Sequence, residues 1–439
     1  MPSFQAPKGT RDFYPDQMAV RNWITGVWRR VSVRNGFVEY DGPTFEYLDL
    51  YRVKSGDEIV SQLFHFTDRG GRELALRPEM TPTLARMVAA RAGGLPKPIK
   101  WFCMPPMYRA ERPQRGRLRE FLQWNVDVLG EDDIIADADC IFVLVDMFRE
   151  LGLTPQHVEV KLNSRALVAA VLSAVGFAEE SLDGVYAVLD KRDKLPDDAF
   201  AEMVDEVSTN DRQRSTLLTL GEAKGPTGLE AVRGLLRDEA EGLNHLDRLI
   251  GTLGLLAAMG AGDYCTFDMG VVRGLAYYTG TVFEAFGKGS LQRAICGGGR
   301  YDRLLAGVGG PPMTGVGFGL GDVVLQDVLT ELALLPADLG RQRVVFVIDA
   351  EPVFFDRALH ITADLRGRGV TAVYSYKRQS LVKQLKQASS RGAVRAVFVD
   401  QDTADKGVVG VKDLETGVQA SMPVAALLDD PYGTVEPSS

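Results

Sequence analysis

Arginine recurs at 109, 112, 115, 117 and 119, around Pro113 and Gly116, in a stretch flanked by apolar runs. Guanidinium forks match phosphate oxygens two at a time, so an arginine cluster on a turn suits a polyanion. A second stretch, Val272 to Glu284, sets Arg273 among small and aromatic residues, with Tyr277 and Tyr278 side by side. That composition suits the wall of a pocket better than a solvated face. Gly315, Gly317, Gly319 and Gly321 alternate along an apolar run. On a strand they leave one face bare, which serves either close approach of a flat ligand or tight packing. Between Arg366 and Val399 stand Arg366, Arg368, Lys377, Arg378, Lys383, Lys386, Arg391 and Arg395 with no acidic residue. Alone, that run reads as a solvated helix face as readily as a polyanion site.

The elements that must position these residues follow from periodicity. Residues 18–36 predict an amphipathic helix, and Phe37 to Phe45 a strand running into Pro43, an edge or interface position. Lys100 to Tyr108 and Arg119 to Leu129 alternate like two antiparallel strands, so the arginine-rich turn projects from a hairpin tip. Residues 132–151 predict a helix. Residues 164–255, rich in Ala, Leu, Glu and Asp, predict a separate, mostly helical insertion broken by the charged run Asp190 to Asp198. Strand-like runs resume at 265–270, 281–286 and 294–298. Leu334 to Gln342 reads as a linker. Beyond it, strands at 343–349, 370–375 and 394–399 alternate with helices at 353–368 and 379–390, a small parallel α/β domain. The residues from Tyr432 onward are expected to be disordered.

Bulk numbers bound the class. With 439 residues, about three domains are expected. Net charge is −9, so a polyanion must meet local basic patches rather than the whole surface. No apolar run is long enough to span a membrane. The N-terminus lacks the apolar core of a secretory signal. Cys103, Cys140, Cys265 and Cys296 are isolated and the four histidines are scattered, so no protein-bound metal cage is expected. Isolated cysteines without a signal point to the reducing cytoplasm.

The segment Tyr108 to Gly130, with its Glu111-Arg112-Pro113-Gln114 run, resembles the second signature motif of class II aminoacyl-tRNA synthetases, in the form found in histidyl-tRNA synthetases. Val271 to Glu284 resembles the histidine-specific motif of that family. Leu76 to Thr81 resembles its amino-group-binding loop, and Cys296 to Asp302 its second histidine motif. Lys8 to Pro15 and Lys406 to Gln419 are similar to it as well. The resemblance thus spans residues 7 to 425.

That resemblance implies an α/β fold in four segments. Residues 1–163 and 256–333 would form the class II catalytic core, an antiparallel six-stranded sheet flanked by helices. Residues 164–255 would be the helical insertion, and 343–430 the C-terminal α/β anticodon-binding domain. The first 50 residues, with Pro43, would carry a homodimer interface. The implied activity is ATP-dependent joining of L-histidine to the 3′ end of tRNA(His), with Mg²⁺ arriving on the ATP. Arg109 matches the arginine that holds the α-phosphate and the substrate carboxylate, and Arg273 a second catalytic arginine opposite it. For histidine, Glu79 and Thr81 match the ammonium binders, Gln123 a polar neighbour, and Asp127, Tyr277 and Tyr278 the imidazole pocket. Glu111, Arg117, Gly319 and Gly321 would face ATP, with Glu111 reading the adenine. Arg112 and Gln114 would approach the tRNA acceptor end, and Lys383 and Lys386 the anticodon side.

Three departures stand out. Asp127 replaces the family's usual glutamate, and Ala276 its usual aspartate. The third signature motif usually ends Gly-Leu-Glu-Arg, whereas this chain has Gly321-Asp322-Val323-Val324. Another cation would then serve the ATP phosphates, with Arg303 the first candidate and Arg293 the second. The competing reading is a catalytically silent paralogue, either a regulatory subunit or a tRNA-binding sensor.

Overall fold

The computed structural model describes residues 4–55, 60, 62–114, 116–237, 239–272, 278–288, 294–377 and 379–435. The chain divides into two compact units, Met1–Pro336 and Ala337–Ser439. The division falls inside the stretch expected to be a linker.

The first unit is built on a large sheet. Six of its strands run antiparallel in the order Ile99–Cys103, Glu120–Leu129, Gly315–Gly321, Ala294–Arg300, Thr281–Gly287 and Val158–Ser164. Val38–Glu39 and Cys265–Phe267 add to the two edges in parallel. Pro106–Tyr108 extends the pairing of Glu120–Leu129, as the hairpin reading requires. Strand alternation sorts that long strand's side chains. Leu122, Trp124, Val126 and Val128 enter the main core. Trp124 stacks on Trp28 of the helix Pro15–Arg34, centroids 6.0 Å apart, and its indole N–H donates to Ser32 Oγ at 3.0 Å. The helix Ile134–Glu150 shares this core. Phe121, Gln123, Asn125 and Asp127 are left for the opposite face.

The expected strand from Phe37 to Phe45 is instead two short strands, Val38–Glu39 and Phe45–Tyr47, in different sheets. Pro43 has no N–H to give a ladder. The buried Arg77 takes the intervening segment, donating to the Gly42 carbonyl at 2.8 Å and to the Asp41 carboxylate at 3.0 Å.

Among the described residues, six α-helices from Arg165–Ala174 to Ala240–Ala258 run through the stretch expected to be a separate insertion, and they belong to the first compact unit. Leu167, Val204, Leu220 and Leu256 from this stretch join the same apolar cluster as the sheet. Capping side chains mark two of its helix starts: Ser164 Oγ accepts from Leu167 N, and Asn210 Oδ1 from Gln213 N.

The second unit corrects two expectations. Its parallel strands Thr371–Tyr374, Val344–Asp349 and Ala393–Val399 are extended by an antiparallel pair, Val408–Asp413 and Gln419–Pro423, giving a mixed sheet of five. Asp413 Oδ1 accepts the N–H groups of Glu415 and Thr416, each at 2.8 Å, and Gly417 turns with φ +79°. These contacts close a hairpin that the apolar pattern did not announce. Tyr432 to Val435 are packed rather than disordered: Arg343 lies 4.1 Å over the Tyr432 ring and Val435 joins the core.

Candidate active site

A cavity of about 510 Å³ opens on the face of the large sheet opposite Trp124. Its floor is Phe121, Gln123, Asn125 and Asp127 beside Gly317, Gly319 and Gly321. Register sets Gly317 against Asp127, Gly319 against Asn125 and Gly321 against Gln123. A Cβ on Gly317 would lie 2.0 Å from Asp127 Oδ1, and one on Gly319 would lie 2.6 Å from Gln123 Nε2. The bare glycine face is therefore where the neighbouring strand's carboxylate and amide lie down.

Asp127 is buried and accepts a 2.5 Å hydrogen bond from Tyr301 Oη. Burial first, and then the Asp127 charge, pushes the Tyr301 hydroxyl well above its ordinary pKa, so it keeps its proton to donate. Tyr301 is set by its neighbour Arg300, whose guanidinium pairs with the buried Asp137 at 2.6 Å and bonds Glu131 O at 3.0 Å. Thr279 ties Tyr278 to the same turn through Arg300 O at 2.8 Å and Asp302 Oδ2 at 2.6 Å. Tyr278 lines the cavity.

Arg109 enters from the opposite wall. Its backbone N–H meets Arg119 O at 2.9 Å, its Nε donates to Pro78 O at 3.2 Å, and its guanidinium stands 5.0 Å from the Phe121 ring centroid. The Pro78 contact brings Arg109 next to Glu79 and to Thr81, the first residue of the helix Thr81–Ala89; both line the cavity. Beyond Arg109 the loop folds on itself. Gln114 and Arg117 exchange backbone hydrogen bonds at 2.9 Å, Gly116 turns with φ +77°, and Arg117 Nη1 is 3.5 Å from Glu111 Oε2. Glu111, Arg112 and Arg117 line the cavity; Gln114 is exposed at the tip and is not part of the wall.

Residues 9–322 match the family described as histidyl-tRNA synthetase, and residues 342–430 match an anticodon binding domain. The chain belongs to the histidyl-tRNA synthetase family. It is 41% identical to a histidine–tRNA ligase of Opitutus terrae, covering 99% of this chain and 100% of that one. It is 37% identical to the chloroplastic/mitochondrial histidine–tRNA ligase of Arabidopsis thaliana, covering 96% and 85%. The fold is shared with a crystal structure of histidyl-tRNA synthetase from Nostoc, TM-score 0.82 at 22% identity, over 98% of this chain and 99% of that one.

Of the residues that the family resemblance singled out, the cavity gathers Glu79, Thr81, Arg109, Glu111, Arg112, Arg117, Gln123, Asp127, Tyr278, Gly319 and Gly321. Arg273, Tyr277 and Arg293 lie outside the described residues. Lys383 and Lys386 are exposed on the helix Leu381–Ser390 of the second unit. Val324 lines the cavity; Arg303 is exposed at the start of a short helix, Leu304–Gly307, and does not line it.

Asn125, Phe283, Glu284, Cys296 and Tyr301 were not singled out by the sequence, yet they line the site. Period-two alternation from Gln123 to Asp127 would have found Asn125. Tyr301 stood inside a recognised motif, but nothing local says that its hydroxyl reaches a residue 174 positions away. Among the described residues, no group of three His, Cys, Asp or Glu side chains could hold a metal ion, and no helix is long and apolar enough to cross a membrane.

Proposed function

We propose that this protein activates L-histidine with ATP and transfers it to the 3′ end of tRNA(His). The observation that carries the reading is the buried Asp127–Tyr301 pair at one end of a cavity that Arg109 enters from the opposite wall. A carboxylate that accepts and a tyrosine hydroxyl held in place give an imidazole polar partners. An apolar amino acid would leave them unpaired, at a cost large enough to discriminate strongly. Glu79 supplies a negative charge for the ammonium group. The histidine carboxylate then points toward Arg109 and attacks the α-phosphate of ATP, releasing pyrophosphate and leaving the acyl adenylate. A terminal ribose hydroxyl of the tRNA takes the acyl group and AMP departs.

Neither step uses a protein nucleophile. Cys296 lines the cavity, but burial holds its thiol well above the ordinary range, so the reactive thiolate is scarce. Acceleration comes from positioning and from cations aimed at the phosphate. Arg109 is one such cation, and by family resemblance Arg273 is the other. Mg²⁺ enters as part of the ATP substrate.

Exposed Arg112 and Gln114 at the loop tip suit the tRNA acceptor end, and Lys383 and Lys386 its anticodon side. We further read the chain as a cytoplasmic homodimer. Val33 of the first helix, Val38, and Phe45 and Tyr47 flanking the Pro43 segment leave apolar surface exposed where a second copy would pack. The four unpaired cysteines fit a reducing compartment. Val324 in the cavity wall favours one rival, a tRNA-binding sensor that no longer makes the adenylate. Histidine-dependent exchange between ATP and labelled pyrophosphate decides between them. Exchange is the expected result, and its absence in a folded preparation that binds tRNA would establish the rival.

A further inference from the structure

The N-terminal segment lies under the ATP-facing wall, and its contacts are specific. Gly9 O accepts the N–H of Arg119 at 2.8 Å and that of Glu120 at 3.3 Å. Gly9 has φ +88°, and a Cβ there would fall 2.7 Å from Pro113 Cγ and 3.0 Å from Arg119 Cγ. Only glycine lets this strand of backbone sit against both ends of the arginine loop. Two residues on, Arg11 Nη2 donates to Asp322 Oδ2 at 2.7 Å. Asp322 is buried, opens the helix Asp322–Glu331, and its other oxygen accepts the N–H of Leu122 at 3.0 Å. One carboxylate thus joins three pieces: the N-terminal strap, the long central strand and the helix whose first turn places Val323 and Val324 in the cavity wall. Arg11 also stacks on Phe13, guanidinium to centroid 4.9 Å, and Arg21 stands over the same ring at 4.6 Å.

We infer that Arg11 is a positioning residue for ATP: through Asp322 and Gly9 it clamps the Arg109–Arg119 loop to the start of the Asp322–Glu331 helix, fixing the wall that receives the nucleotide. The inference rests on the proposed function, in which Arg109 meets the α-phosphate, and on the family resemblance that turns Glu111, Arg117, Gly319 and Gly321 of this wall toward ATP. A buried carboxylate needs its counter-charge; without Arg11, Asp322 loses one of its two hydrogen-bond partners and is left as a buried charge. Its other bond, to Leu122, then carries the joint alone. These contacts reach the arginine loop, Leu122 and Asp322, whereas Glu79, Asp127, Tyr278 and Tyr301 line the cavity from other elements, where the proposed function sets histidine. Loss of the clamp therefore separates the two substrates.

The test is steady-state pyrophosphate exchange by the full-length protein. In Arg11→Ala the Michaelis constant for ATP rises about tenfold or more, that for histidine stays within twofold, and Arg11→Lys recovers part of the loss by restoring the charge without the fork. Asp322→Asn, which keeps an oxygen for Leu122 but drops the charge, shows the same split and keeps the joint testable should Arg11→Ala fail to fold. Equal rises for both substrates, or an ATP constant within twofold of the parent in both variants, overturn the inference. A parent protein without histidine-dependent exchange overturns the proposed function instead.

Discussion

At the scale of single residues, the site turns on how Asp127 is held. By the motif resemblance, Asp127 stands where a glutamate, one methylene longer, is usual. The structure meets the shorter reach by laying the carboxylate over Gly317 and anchoring it with Tyr301. Removing the tyrosine hydroxyl takes from Asp127 the hydrogen bond that holds it and frees that carboxylate to turn away from the proposed imidazole position. A hydrogen bond to a charged group is worth about 1.5–3 kcal/mol, so Tyr301→Phe should raise the Michaelis constant for histidine roughly 10- to 100-fold. The constant for ATP should stay near that of the parent. Pyrophosphate exchange at varied histidine measures both, and a histidine constant within twofold of the parent would mean that Tyr301 is only packing. Residue identities were the most legible layer of this sequence, because signature motifs keep residue types in order. What they could not announce was pairing across distance, such as Tyr301 with Asp127 or Arg11 with Asp322. Those contacts are created by strand register and helix placement, which local sequence does not encode.

Among elements, helices were read well and their partners were not. The first helix was expected over 18–36 and is Pro15–Arg34; the second was expected over 132–151 and is Ile134–Glu150. Their mutual docking was invisible, because it depends on side chains more than 110 positions apart. Arg34 Nε meets Asp146 Oδ2 at 2.8 Å, Asn35 Nδ2 meets the same oxygen at 2.7 Å, and Arg30 Nη2 meets Glu150 Oε1 at 2.8 Å. Burial pushes the Asp146 carboxyl up, but the hydrogen bonds from Arg34 and Asn35 outweigh it and hold the group below its ordinary range. A carboxyl depressed in the folded state adds stability that is fully present above its unfolded value, near pH 4, and is lost as pH falls through the folded value. Asp146→Asn should therefore cost about 1 kcal/mol at neutral pH, the upper range for a partly exposed pair. The gap in apparent melting temperature between parent and variant should close as pH drops below 4. A gap that stays constant down to that pH would show that the pair contributes through shape rather than charge.

For the whole molecule, the decisive fact is that the two units have separate cores. The main cluster of the first unit runs from Val20 to Leu335, and the two clusters of the second use only residues from Val344 onward. Composition hid how the charge is distributed. Net charge is −9, and of the basic residues between 366 and 399 several are committed internally. Arg395 is buried in an ion pair with Asp413, Arg366 bonds Ala372 O at 2.8 Å, and Arg368 pairs with Asp429 at 3.0 Å. Lys377, Lys383, Lys386 and Arg391 remain exposed, and so does Tyr376, the chain neighbour of Lys377, which is 81% exposed and meets Tyr374 edge-on at 5.5 Å. An exposed aromatic ring can stack on an unpaired base while exposed cations of the same unit follow the backbone. The second unit should accordingly carry anticodon-side affinity and little of the adenylate chemistry. Residues 1–336, expressed alone, keep an intact apolar core and every cavity residue named above. They should retain histidine-dependent pyrophosphate exchange within about threefold of the full chain, while the second-order rate constant for charging tRNA falls by about two orders of magnitude, the loss of roughly 3 kcal/mol of binding. Equal losses in both assays would mean that the second unit serves chiefly to support the catalytic fold.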